Sequence, residues 1–255
     1  MKLRTHAGSL CASLAAACCL AFAGNALAAF PNYTGCPPAS ATVISCVDIQ
    51  NTSGNLNIKG FNVPLGESLE IRGGLSPIRE GFNDFTPATG TNGFFSRPVE
   101  VPGGILGIDF PIPGNSVTAT TELAGSASAI RFSSVSGSLI VPVKVRLSNF
   151  LLGMNCHIGS NSNPVVLNLI TGTTSPPPPN RPISGRRGTV SFVGTEIQII
   201  DNVNVANEFA IPASSSCGLG LGFINLLIDA RLQLPSAAGN NSIEVHNNIA
   251  LRAAS

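Results

Sequence analysis

Nine residues near the middle of the chain alternate strictly. Leu139, Val141, Val143, Val145 and Leu147 fall on one side, while Lys144 and Arg146 fall on the other. Successive side chains of an extended strand point to opposite faces, so this spacing predicts a strand with one buried and one wet face. A helix would scatter the same five apolar side chains around its circumference. The pattern recurs over 225–234, where Leu226, Ile228, Ala230, Leu232 and Leu234 oppose Asn225, Asp229, Arg231 and Gln233. It recurs again near the C-terminus, with Ile243, Val245, Ile249 and Leu251 opposite Glu244, His246, Asn248 and Arg252. Shorter runs at 43–49, 56–61, 68–72, 130–134, 165–170, 190–193, 196–200 and 203–211 also read as strands. No stretch after residue 28 carries a convincing 3.6-residue period over ten or more residues.

Many short alternating strands, cut by 27 glycines and 19 prolines, predict an all-β fold. The expected arrangement is an antiparallel β-sandwich with long Gly/Pro-rich loops, and a β-barrel is the second choice. Residues 29–255 are expected to form one all-β domain. Within it, 80–115 reads as an irregular excursion rich in Gly, Pro and Phe, or equally as an insertion that covers a sheet edge. The segment 171–188 reads as an exposed Pro-rich connector, stiffened by Pro176 to Pro179 and turned by Gly185-Arg186-Arg187-Gly188.

Residues 1–28 read as a secretory signal peptide. Lys2 and Arg4 precede an apolar run from Leu10 to Ala23, and Ala26-Leu27-Ala28 offers a small-x-small cleavage site. Removing this segment takes Cys11, Cys18 and Cys19 with it and leaves Cys36, Cys46, Cys156 and Cys217. An even set in an exported chain points to two disulfides. Four cysteines permit three connectivities, of which Cys36 to Cys46 with Cys156 to Cys217 is the simplest. The loss of Lys2 and Arg4 also takes 14 basic residues to 12 against 13 acidic ones. That balance argues against a nucleic-acid partner, which needs a basic face to neutralise phosphates. After the leader, no apolar run reaches the roughly 20 residues needed to span a bilayer as a helix.

Chemistry-bearing patterns are sparse. Cys156 adjoins His157, but sequence neighbours seldom meet as nucleophile and base, so a disulfide is the preferred reading of Cys156. His157 and His246 alone cannot make a three-histidine zinc site, and Asp201-Asn202-Val203-Asn204 lacks the glycine and downstream glutamate of a calcium loop, reading instead as a turn between strands. Gly218-Leu219-Gly220-Leu221-Gly222 resembles a phosphate loop only superficially, because an apolar strand is expected after it instead of the required helix. Paired carboxylates of a hydrolase could be drawn from Glu67 with Glu70, or from Asp229, although alternation places all three toward solvent. The chain also lacks tryptophan and has a single tyrosine, Tyr33, which leaves little aromatic platform for a sugar ring.

The run Asn155-Cys156-His157-Ile158-Gly159-Ser160-Asn161-Ser162-Asn163-Pro164, with Thr171-Gly172-Thr173-Thr174-Ser175-Pro176-Pro177-Pro178-Pro179 and Ala119-Thr120-Thr121-Glu122-Leu123-Ala124, resembles a group of secreted actinobacterial proteins. The resemblance is best over about 117–188. It implies an exported chain and transfers no active site. The expectation is therefore a secreted or cell-surface-associated, non-enzymatic β protein that acts by binding or assembly. An extracellular or cell-envelope partner or self-association, and no cofactor or metal, go with it. The alternative is a secreted hydrolase using paired carboxylates.

Overall fold

The structure is a computed structural model that describes residues 29–105, 107, 113–218 and 223–255. The signal-peptide reading at 1–28 lies outside these residues. The first strands are β1 (Ser45–Ile58), β2 (Phe61–Pro64), β3 (Leu69–Leu75), β4 (Asn83–Pro87), β5 (Phe94–Ser96) and β6 (Val99–Glu100). There follow β7 (Thr118–Leu123), β8 (Arg131–Ser133), β9 (Ser138–Ser148), β10 (His157–Ile158) and β11 (Val165–Leu169). The C-terminal part holds β12 (Thr189–Val193), β13 (Glu196–Ala206), β14 (Ser214–Ser215), helix α1 (Phe223–Leu232) and β15 (Asn241–Ala253).

All of these strands pair antiparallel in one open sheet, in the order β12-β13-β15-β1-β3-β4-β8-β9-β10-β14. The remaining strands attach along its sides. β4 belongs to both halves: Phe85–Pro87 pair with β3, whereas Asn83 and Asp84 pair with β8. The sheet folds over at this strand. Val47, Ile71 and Ile249 from one half and Leu139, Val143 and Leu167 from the other then share a single apolar cluster. This is the face-to-face packing of a sandwich. On the opposite side, Ile170 and Val205 exchange two backbone hydrogen bonds of 3.0 and 2.9 Å, which bring the end of β11 to β13.

β9 realises its sequence pattern directly, with Leu139, Val141, Val143 and Leu147 buried. β15 does the same with Ile243, Val245, Ile249 and Leu251, interrupted in phase by buried Asn247. Close packing at the fold explains a glycine as well. A Cβ on Gly73 would run into the Thr86 carbonyl oxygen and lie 2.9 Å from the Phe85 ring. Gly73→Ala is therefore expected to cost about 1–3 kcal/mol, read as a lower urea midpoint.

Two expectations, at 225–234 and at 201–204, are corrected. The 225–234 segment is not a strand: 225–232 lie in α1, and Gln233 and Leu234 follow it. Ile224, Ile228 and Leu232 are spaced four apart, and the last two are buried, while Leu226, expected inside, is 69 % exposed. Apolar residues in this segment are dense enough to satisfy both periods, and Leu, Ala and Arg favour the helix. The 80–115 excursion contains β4, β5 and β6, and β5 covers part of one edge of β3. Asp201-Asn202-Val203-Asn204 is not a turn between strands: it lies inside β13, where the pairing with β15 shifts register between Ile199 and Asn202. The Pro-rich segment is exposed over much of its length, as expected of a stiff connector, and is also tied down. Thr174 N donates to Ile183 O at 2.9 Å, Asn180 N to Gly239 O at 3.0 Å, and the Asn180 amide to Asn241 O at 2.7 Å.

Candidate functional site

β12 lies at one end of the ladder and, among the described residues, is paired on one edge only, with β13. Gly194 and Thr195 make the two-residue turn between them, and Gly194 takes the positive φ (62°) that such a turn demands. Across a two-residue turn the closing pair, Val193 and Glu196, exchanges both backbone bonds. By alternation Val193, Ser191 and Thr189 spend their backbone groups on β13. Those of Val190 and Phe192 point out along the free edge.

The side chains of this edge are unusually bare. Thr189-Val190-Ser191-Phe192-Val193 carries no charge and no proline, the devices by which edges are normally protected from pairing. Val190, Phe192 and Val193 are 56 %, 74 % and 57 % exposed. Val190 and Phe192 stand beside Ile199 and Ile197 on the same sheet face. There they continue into an open groove of about 410 Å³ whose walls include Ile44, Ile78, Val135, Ile197 and Ile199. A free strand edge beside an apolar groove can hold an extended segment: backbone bonds supply affinity, and alternate side chains enter the groove.

Two further features were tested as sites. An apolar crevice of about 110 Å³ opens between the sheet halves, lined by Leu56, Phe61, Val145, Leu167 and Phe209 among others, with Thr121 as its one polar side chain. It offers nothing to orient a polar substrate. On the outer face of β1 and β3, Asp48 and Glu70 are almost fully buried, at 0 % and 3 % exposure. The segment 29–36, closed down by the Cys36–Cys46 disulfide, covers them. Asn32 bridges the two acids, its backbone N–H donating to Asp48 at 2.6 Å and its amide to Glu70 at 3.1 Å. Gln50 donates to Asp48 at 3.0 Å and Arg72 to Glu70 at 2.9 Å. Burial pushes the Asp48 carboxyl up to about 7, with the neighbouring Glu70 adding to it, against the hydrogen bonds from Asn32 and Gln50 and the Arg72 charge. Its Oδ1 is buried and has no hydrogen-bond partner among the described residues. Burial, then the Glu196 carboxylate, also raises the nearby Tyr33 phenol, whose ring faces the Arg252 guanidinium at 4.2 Å.

The sequence candidates are placed as follows. Cys36 bonds Cys46 and Cys156 bonds Cys217, so Cys156 is no thiol nucleophile. His157 Nδ1 donates to Asn155 O at 2.9 Å, and the ring lies 3.4 Å from Glu122, which Arg146 also holds at 2.7 Å. Burial alone would raise Glu122, but Arg146 and His157 outweigh it and hold its carboxyl below the usual range. His246 sits in a separate group with Glu244 at 3.0 Å and Asp201 at 3.6 Å. The structure does not assemble these into one site. Glu67 is exposed, but Glu70 is buried rather than solvent-facing, because 29–36 covers the second face of the sheet. Asp229 is on α1, not on a strand, and its carboxylate accepts from Ser214 N at 2.7 Å. A helix does follow the glycine run, contrary to expectation. Residues 219–222 lie outside the described ones, and α1 exposes Phe223, Leu226 and Leu227 rather than cations for a phosphate.

Sequence reasoning marked 190–193 as a strand but did not single it out. Its edge position depends on which strands pair, which local pattern does not encode. Among the described residues no helix is long and apolar enough to cross a membrane, and no three His, Cys, Asp or Glu side chains are grouped to hold a metal. Compared with known proteins, the chain matches no family model, no curated protein and no solved structure.

Proposed function

We propose that this chain is an exported, non-enzymatic β protein that works by binding or assembly, using the free edge of β12 and the groove beside it. The uncharged, doubly exposed edge carries this reading, because an unprotected edge is a standing invitation to pair. Two disulfides suit an oxidising exterior, where thiols stay paired. The buried acids do not favour a hydrolase: Asp48 and Glu70 are engaged by Asn32, Gln50 and Arg72, under a segment stapled in place.

The test places two charges on the edge. Val190→Lys with Phe192→Lys should leave the chain folded with its β13 pairing intact, since both side chains are exposed. Labelled protein should associate with itself or with envelope fractions of the producing cells, and the double variant should lose that association. A double variant that associates as well as its parent would sink the proposal.

A further inference from the structure

We infer that the occupant of the β12 edge is a second copy of this chain, paired antiparallel about a two-fold axis through Ser191. The inference rests on the binding-or-assembly reading and specifies its partner.

The backbone phase fits such a pair. Val190 and Phe192 direct their N–H and C=O groups outward, and a two-fold axis at Ser191 sets Val190 of one copy opposite Phe192 of the other. Those two residues can exchange both bonds, twice over by symmetry. Ser191 then faces Ser191 as a pair without backbone bonds, and Thr189 faces Val193.

Side chains agree with the same register. Val190 and Phe192 share one sheet face, so the pair builds an apolar cross-strand contact on each side of the axis. It also joins the two grooves into one apolar surface. Charge selects the direction. Arg187 lies just before β12, beside Arg186, whose guanidinium already pairs with Asp201, and Glu196 lies just after the turn. An antiparallel pair sets the basic end of one copy against the acidic end of the other, whereas a parallel pair would set arginines beside arginines. Arg187 is exposed, and Glu196, which accepts from the Gln198 amide, is partly exposed.

Ser191→Cys reads the register directly. Antiparallel residues without backbone bonds lie about 4.5 Å apart at Cα, within disulfide range. The variant should give a crosslinked dimer on a non-reducing gel, several-fold more than Thr189→Cys, whose opposite residue is Val193. The parent chain should sediment as a concentration-dependent dimer, and Val190→Lys with Phe192→Lys should sediment as a monomer. Equal crosslinking of the two cysteine variants overturns the register. A parent that stays monomeric up to millimolar concentration overturns self-pairing. If that monomer still binds envelope material through an edge that the lysine variant blocks, the broader proposal stands and only the identity of the partner is wrong.

Discussion

Cys217→Ser is expected to lower the melting temperature more than Cys46→Ser. The Cys156–Cys217 bridge closes a span of 61 residues and Cys36–Cys46 one of 10. In the chain-entropy account the longer loop restricts the unfolded chain more, giving about 4 kcal/mol against about 3. The longer bridge also has local support. Gly218 N donates to Leu152 O at 2.8 Å and Cys217 N to the Asn225 side chain at 3.0 Å, so its loss frees the loop after β9 from the start of α1. For a domain of this size the larger loss corresponds to a shift on the order of 10 °C. Scanning calorimetry without reductant measures it, and equal or reversed shifts would show that loop length does not govern these two bridges.

Asp48 should make the protein less stable as pH rises. Its carboxyl is pushed up to about 7 in the folded chain, from an ordinary value of 3.8. Between those values the folded state holds a proton that the unfolded state has released. Stability therefore falls with pH across that window and is flat on either side, as far as this group is concerned. At about 1.4 kcal/mol per pH unit the full effect is at most about 4 kcal/mol. Asp48→Asn keeps an acceptor for Asn32 and removes the titration. Urea midpoints of the variant should lose this slope between about pH 4 and pH 7, and the variant should gain on the parent at pH 8. A parent whose stability is level or rising through the same window, with no change in the variant, would show that Asp48 ionises freely where it sits.

The same buried acid shows where sequence patterning stops being legible. β9 and β15 could be read because one face meets the core and the other meets water, so period two survives in the residues. β1 could be located but not understood: Cys46 to Asn51 are buried on both faces, one by the core and one by 29–36. Alternation carries no sign of that second cover, so Glu70 and its neighbours read as solvent-facing. α1 failed for a different reason, since a run with apolar residues at nearly every other position also contains the four-residue spacing of Ile224, Ile228 and Leu232. The disulfides were legible because cysteine count and spacing left few choices. The β12 edge was half legible: its composition is plain, but its lack of a second neighbour is a property of the whole topology.

β1 finds its longest partner in β15, through a register that runs from Ser45 opposite Ala253 to Ile58 opposite Asn241. Among the described strands, the earliest in the chain thus waits for the latest. Until β15 is made, that edge of β1 lacks the neighbour it has in the fold, and closing so long a loop is slow. Strand order alone therefore delays completion of the sheet: a chain of this topology stays unfinished for as long as its C-terminal strand is held apart from β1.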